Sequence, residues 1–220
     1  MPYHVFGKTP TRTISVPAHQ HRNPDGTLGG WVADTAWVAP TATLSEDSIV
    51  YDNASVNGTT AIINGSEVFD DAVIDGEILI QNESKVCGSA QVFGLAKIKN
   101  SFIGEKATVS GRAKLQNQSI VSGNARITQS ACLDGAEVAG NACIDGIATV
   151  QGYVTGNAQV GGEAHIDKYV RLSGDVKVGG NATITGISDF CTGSFFGDKD
   201  LPPINDAIKN LTQLDHDIGL

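Results

Sequence analysis

The chain has 220 residues, enough for one sizeable domain or two small ones, and its 40% apolar content excludes a disordered chain. Twenty-six glycines beside only 6% aromatic residues indicate many tight corners rather than long helices. The net charge of −9 argues against direct binding of nucleic acid, because that affinity depends on Lys and Arg neutralising phosphates.

Neither the start of the chain nor its cysteines carry a recognisable signal. The first 13 residues lack the apolar core of a signal peptide, and no apolar run reaches membrane-spanning length. We therefore expect a cytoplasmic protein that does not bind membranes. Cys87, Cys132, Cys143 and Cys191 show no C-x-x-C spacing, which argues against a zinc ribbon and favours reduced thiols.

Residues 1–30 contain no repeat and are rich in Pro, His and Arg. We predict that they form a capping segment across the first coil of the repeat that follows, with Trp31 and Trp37 helping to close its apolar end. His19 and His21 lie close together in sequence, with His4 nearby, but two neighbouring histidines do not make a metal site. No metal is predicted.

A six-residue repeat runs through residues 31–187. Its first small residues are Ala36, Ala42, Ser48, Ala54, Thr60, Ser66 and Ala72. A branched aliphatic residue follows two positions after each, so every small–x–aliphatic triplet predicts a short strand with two inward side chains. Pairs such as Asn57-Gly58 supply the positive φ of a sharp corner. Six residues are too few for a hairpin or a helix, so the chain must wind as a solenoid.

A second period of 18 residues predicts three sides per coil. The small residues separate into three columns, which begin with Ala36, Ala54 and Ala72, with Ala42, Thr60 and Ile78, and with Ser48, Ser66 and Ser84. Between Ala96 and Gly152 some steps shorten to five or four residues beside the serine column. These steps predict trimmed corners and leave the register near Gly152 and Tyr153 open. The columns imply about eight coils.

Polar residues precede the first column at the same spacing: Asn53, Asp71, Ser89, Asn124, Asn141, Asn157 and Asp175. Stacked Asn side chains can hydrogen-bond from coil to coil, and Asn tolerates left-handed φ. We interpret this row as a structural ladder rather than a binding site.

Residues 188–220 are predicted to form a connection and a short C-terminal helix. Leu201-Pro202-Pro203 introduces the helix, and apolar residues follow at helical spacing: Ile204, Ala207, Ile208, Leu211 and Leu214. This stripe must be buried against the last coil, against an outer face or against another subunit.

Several segments resemble a known family. Val121–Ala125 (VSGNA), Ile144–Ala148 (IDGIA) and Val178–Ala182 (VGGNA) resemble the hexapeptide repeat of left-handed β-helix acyltransferases, and the resemblance covers about two-thirds of the chain. Leu28–Val32 (LGGWV) with the following repeat resembles the YdcK-type solenoids of enterobacteria and their phages. The resemblance implies an all-β, left-handed triangular parallel β-helix.

The same resemblance implies an acyltransferase that forms trimers and uses a histidine as general base on acetyl-CoA or another acyl-CoA. The matching histidine is His165, predicted to point outward, with Asp167 or Glu163 to orient it. Two departures weaken this hypothesis: no long excursion loop interrupts the repeat, and no basic, proline-containing C-terminal coil is present. Without the acyltransferase activity, no cofactor is predicted.

An apolar surface is predicted beside the serine column. Phe102, Ile120 and Tyr153 fall at outward positions of the same side, and Ile49 lies further along it. A flat β face that exposes such residues in series is covered by the terminal helix or forms an interface.

Three functions agree with these patterns. The favoured one is a non-catalytic solenoid that serves as a rigid interaction or assembly module, binding a protein partner or itself, for example as a homotrimer. The alternative is the acyltransferase with His165 as base. The third is an acidic decoy that occupies a basic nucleic-acid site on another protein, although the acidic residues look scattered.

Overall fold

Each small–x–aliphatic triplet folds as predicted, with its middle side chain outside and its flanking side chains inside. Arg126 is exposed, whereas Ala125 and Ile127 on either side of it are fully buried. The computed structural model describes residues 3–9, 12–197 and 200–201. Among these residues every regular element is a strand, and none forms a helix long and apolar enough to cross a membrane. The predicted C-terminal helix lies outside the described residues.

The strands form three sheets, here called sheets I, II and III. Sheet I contains β1 (Tyr3–Thr9), β2 (Arg12–Arg22), β3 (Leu28–Ala33), β6 (Ile49–Val50), β9 (Glu67–Val68), β12 (Lys85–Val86), β15 (Phe102–Ile103), β18 (Ile120–Val121), β21 (Glu137–Val138), β24 (Tyr153–Val154), β27 (Val170–Leu172) and β30 (Ser188–Phe190). Sheet II contains β4 (Trp37–Val38), β7 (Ser55–Gly58), β10 (Val73–Gly76), β13 (Gln91–Gly94), β16 (Thr108–Val109), β19 (Arg126–Ile127), β22 (Cys143–Ile144), β25 (Gln159–Val160), β28 (Lys177–Gly179) and β31 (Ser194–Phe196). Sheet III contains β5 (Thr43–Leu44), β8 (Ala61–Ile62), β11 (Leu79–Gln81), β14 (Lys97–Lys99), β17 (Lys114–Gln116), β20 (Cys132–Asp134), β23 (Thr149–Val150), β26 (His165–Ile166), β29 (Thr183–Ile184) and β32 (Asp200–Leu201).

From β3 onward each strand pairs in parallel with the strand three places later, so every turn gives one strand to each sheet. The predicted parallel β-solenoid with three sides is therefore confirmed. It has about nine turns rather than the predicted eight. The prediction counted only the columns from Ala36 to Ala182, whereas the strands of Trp31 and Ser188 beyond them also pair.

The interior is one continuous apolar column with three rows of buried aliphatic side chains, one from each sheet. Burial of a Val, Leu or Ile side chain contributes roughly 1.5–3 kcal/mol, so stacking the coils supplies the main stabilisation. The serine row is also buried, and its hydroxyls donate hydrogen bonds to backbone carbonyls of the corner that precedes each serine. Ser66 donates to the carbonyl of Ile63 at 2.8 Å, and Ser119 donates to that of Gln116 at 2.7 Å. Serine therefore fits this core because each hydroxyl finds an acceptor within its own coil.

The trimmed corners lie between sheets III and I, where they were predicted. The shortest runs from Ala148 to Gly152, and it fixes the register that the sequence left open: Tyr153 pairs between Glu137 and Arg171. Gly152 occupies the inward small position. A Cβ there would lie 2.3 Å from the carbonyl oxygen of Val170, so this corner has room only for glycine.

The predicted polar ladder is present in two stretches, Asn53 to Asp71 and Asn124 to Asp175, at the corner between sheets I and II. Side-chain amides donate to the residue one coil later, from Asn53 to Asp71 at 3.1 Å, Asn124 to Asn141 at 3.0 Å, Asn141 to Asn157 at 3.0 Å and Asn157 to Asp175 at 2.9 Å. The row links neighbouring coils, which agrees with a structural role.

Residues at the end of β2 and just after it cover part of the first coil. β2 pairs antiparallel with β3, and the segment between them passes over β5. Asn23 there replaces a strand: its Nδ2 donates to the Leu44 carbonyl at 3.1 Å, and its Oδ1 accepts from the Leu44 amide at 2.9 Å. Nε2 of the buried His21 donates to the carbonyl of Ala42 at 2.9 Å. Side chains therefore satisfy the backbone edge of β5.

The two tryptophans at this end behave differently. Trp31 packs with a small cluster of Ala18, Ala33 and Tyr51 beneath the N-terminal segment. The expectation that Trp37 also closes the apolar end is wrong, because its side chain is 57% exposed. Trp37 is the middle residue of its triplet, so it points outward, and its Nε1 donates to Asn57 Oδ1 at 3.1 Å.

Candidate functional site

The outer face of sheet I carries one outward residue per coil. In order from the N-terminal end these are Trp31, Ile49, Glu67, Lys85, Phe102, Ile120, Glu137, Tyr153, Arg171 and Asp189. We call this series the sheet I column. Phe102, Ile120 and Tyr153 all lie in it, as predicted, and they are 37%, 40% and 43% exposed. The column places Glu137 between Ile120 and Tyr153, so only Phe102 and Ile120 are adjacent.

Phe102 and Ile120 border a shallow hollow of about 220 Å³, whose other walls include Lys85 and Gln118. The ring of Phe102 lies against the backbone of Gly104, where an added Cβ would come within 2.6 Å of a ring carbon. The ring therefore lies along its own coil, against Gly104, and the residue remains partly exposed to solvent. Such a fixed aromatic group costs little conformational entropy when a partner buries it.

Charged side chains flank the apolar pair on both sides. Toward the N-terminal end, Lys85 Nζ lies 3.1 Å from Glu67 Oε1, and Tyr51 donates to Glu67 Oε2 at 3.3 Å. Toward the C-terminal end, the Arg171 guanidinium lies 5.2 Å from the centre of the Tyr153 ring. An apolar centre with a charged rim is the usual composition of a protein–protein interface.

The N-terminal segment limits this surface. Ile49, noted from the sequence as further along the same side, packs against the cluster that contains Ala18, Ala33 and Tyr51. The ring of Tyr51 stacks on Phe69 with their centres 4.9 Å apart. The free apolar part of the sheet I column therefore starts at Phe102.

His165 lies on the outer face of sheet III, between Thr149 and Thr183 in the neighbouring coils. Its ring is half-buried. Within the described part of the chain no hydrogen bond joins it to Asp167 or Glu163, the two carboxylates expected to orient it. Asp167 instead accepts through Oδ1 from the backbone amide of Lys168 at 2.7 Å. The structure thus places His165 on the outer face of sheet III and engages Asp167 with the neighbouring backbone amide.

A basic groove on the same sheet was not predicted. It has a volume of about 560 Å³, and Lys97, Arg112 and Lys114 line it together with Leu95, Cys132 and Glu77. Lys97 and Lys114 are paired neighbours in β14 and β17. Over the described ranges, none of these three cations forms an ion pair. Lys97 and Lys114 already stand at outward positions of consecutive coils in the sequence, which could have predicted a basic surface. Arg112 could not have been added to it, because it lies at the corner before its strand and belongs to another row.

None of the four cysteines forms a disulfide. Burial raises the pKa of the Cys87 thiol to about 11. Burial also raises the pKa values of Cys132 and Cys143, with Asp134 and Asp145 adding to the effect. A nucleophilic cysteine needs a lowered pKa, so these three are poor nucleophiles.

His19 and His21, near the N-terminal end, bind different partners. His19 Nδ1 lies 3.0 Å from Asp34 Oδ1 on the exposed side of β2, whereas His21 is buried against the first coil. Residues 3–9, 12–197 and 200–201 contain no group of three or more side chains suited to hold a metal ion.

Comparison with protein-family models finds no match to this chain. Comparison with curated proteins likewise finds no match.

Proposed function

We propose that this chain is a non-catalytic β-solenoid that acts as a rigid interaction or assembly module, and that it binds another protein surface through the sheet I column. The observation that carries the proposal is the adjacent pair of exposed apolar residues, Phe102 and Ile120, framed by charged side chains. Isolated exposed apolar residues are ordinary, but a fixed pair inside a charged frame fits an interface.

Rigidity supports the same function. The coils are bonded to one another through three sheets, and the corner ladder adds bonds between some of them, so the outward side chains keep their spacing when a partner docks. Preorganised side chains lose less entropy on binding. A net charge of −9 makes a protein rather than a nucleic acid the partner class.

The test is photo-crosslinking of the full chain with benzoylphenylalanine in place of Phe102. The matched control carries the same group at Gln159, which is exposed at an outward position of sheet II. We expect protein adducts at position 102 that disappear when Ile120→Glu is added, and none at position 159. Equal adducts at both positions, or none at position 102, would contradict the proposal.

A second candidate is the acyltransferase, and the basic groove favours it. Lys114 and His165 lie on the same face of sheet III, three strands apart, which is about 14 Å. Unpaired cations at one end and an imidazole at the other could receive the phosphates and the reacting group of an acyl-CoA. His165 would then remove a proton from the acceptor.

A titration with acetyl-CoA and free CoA separates the two functions, because a ligand that binds only the folded chain raises its melting temperature. The interaction module predicts no saturable shift and no acyl transfer. The acyltransferase predicts a shift that Lys114→Glu weakens and turnover that His165→Ala abolishes, while the control Thr183→Ala leaves both unchanged.

A further inference from the structure

Four consecutive coils of the sheet I column present Lys85, Phe102, Ile120 and Glu137, in that order. The two charges have opposite signs and lie at equal distances from the midpoint between the two apolar residues. Reversing the order therefore gives a complementary series.

A twofold axis can perform this reversal. We consider an axis that lies in the plane of the face, runs across the solenoid and passes between the coils of Phe102 and Ile120. It brings a second copy face to face with the first, with the two solenoids antiparallel. Phe102 then meets the partner's Ile120, and Lys85 meets the partner's Glu137. Each contact occurs twice, as an isologous interface requires.

The coils beyond these four are compatible with the same arrangement. Glu67 meets the partner's Tyr153 and comes within one coil of the partner's Arg171. Glu67 already holds Lys85 at 3.1 Å within its own chain, so Lys85 would lie between two carboxylates in the dimer. The N-terminal cluster that covers Ile49 borders this region at Glu67, which already accepts a hydrogen bond from Tyr51.

A twofold axis along the solenoid gives a different result. It would place Lys85 opposite the partner's Lys85 and Glu137 opposite the partner's Glu137. Like charges facing each other oppose association, so charge complementarity selects the antiparallel arrangement.

We infer that the sheet I column binds a second copy of this chain in an antiparallel twofold dimer centred between Phe102 and Ile120. This inference rests on the proposed function and names its partner. The six coils from Glu67 to Tyr153 span about 24 Å, which is small for a specific interface. The dimer should therefore dissociate on dilution.

Sedimentation of the full chain over a wide concentration range tests the inference. Wild-type protein should show a reversible monomer–dimer equilibrium. Lys85→Glu and Glu137→Lys should each raise the dissociation constant about tenfold or more, and the double variant should restore dimerisation. Lys177→Glu, at an exposed outward position of sheet II, is the matched control and should change nothing. Circular dichroism checks that each variant is folded. If Lys85→Glu does not fold, Glu137→Lys alone tests the charge pairing.

Crosslinking tests the register in which the two copies face each other. Benzoylphenylalanine at position 102 should crosslink to residues around the partner's Ile120, rather than to those around the partner's Phe102. A monomer at every concentration, a trimer, or a dimer indifferent to both charge reversals would overturn the inference. If purified protein is monomeric while position 102 still gives adducts with another protein, the proposed function stands and the dimer falls. If position 102 gives no adduct at all, both fall.

Discussion

Gly152 gives the sharpest test of how tightly the coils stack. Its φ is not in the left-handed region, so alanine could adopt its backbone conformation without strain. The obstacle is steric, because a Cβ would lie 2.3 Å from the carbonyl oxygen of Val170 and 2.7 Å from that of Asp167. Both atoms belong to the backbone of the next coil. Relief requires that coil to move away by about 1 Å, against close packing on the other two sides.

We therefore expect Gly152→Ala to destabilise the chain by about 1–3 kcal/mol, the usual cost of overpacking a core. Gly161→Ala is the matched control. Its φ is also outside the left-handed region, and its new Cβ would meet the carboxylate of Asp145, 2.2 Å from Oδ1, which can rotate away. Urea denaturation followed by circular dichroism reports on all three sheets. If Gly152→Ala unfolds at the wild-type urea concentration, the interpretation of the four-residue corner is refuted.

Three further predictions concern the cap, the ladder and the thiols. Asn23→Ala should cost about 1–3 kcal/mol in urea denaturation, because it leaves buried backbone groups without partners; an unchanged midpoint would show that water replaces the side chain fully. Asn141→Ala removes two exposed hydrogen bonds and should cost only about 1 kcal/mol, measured in the same way, and a larger loss would mean that the ladder determines the coil spacing. The pKa of Cys87 is raised from 9.0 to about 11 in the folded chain, so stability that is complete below pH 9 should be lost as the pH rises through 11. Cys87→Ala should remove that part of the pH dependence in denaturation curves, whereas the same change at the exposed Cys191 should not.

The repeat made most of the fold predictable because a six-residue step leaves the chain few ways to bury its aliphatic residues. Inward positions, corners and the asparagine ladder all follow from that step. The register at Gly152 could not be predicted. A four-residue corner fits only because glycine leaves room for the backbone of Asp167 and Val170 in the next coil. The roles of Asn23 and His21 were equally out of reach, because they bond to backbone about 20 residues later in a segment without periodicity.

The candidate surface was predicted in its members but not in its order. The outward positions predict Phe102, Ile120 and Tyr153 as one apolar series, although Ala136-x-Val138 already places Glu137 between the last two. The structure makes that carboxylate visible as part of the surface, and it is this charge that pairs with Lys85 in the proposed dimer. For His165 the sequence could give the outward position but not the hydrogen bonds, because Asp167 binds the neighbouring backbone amide instead.

The cap over β5 also determines how such molecules can join. An uncovered solenoid end is a template, onto which a strand from another molecule can add and so begin a fibre. Asn23 offers Leu44 the same donor and acceptor that an incoming strand would offer, yet a side chain presents no fresh edge behind it. Asn23 therefore ends the hydrogen-bonded edge of sheet III. A strand from another molecule can pair with β5 of sheet III only if it first displaces Asn23.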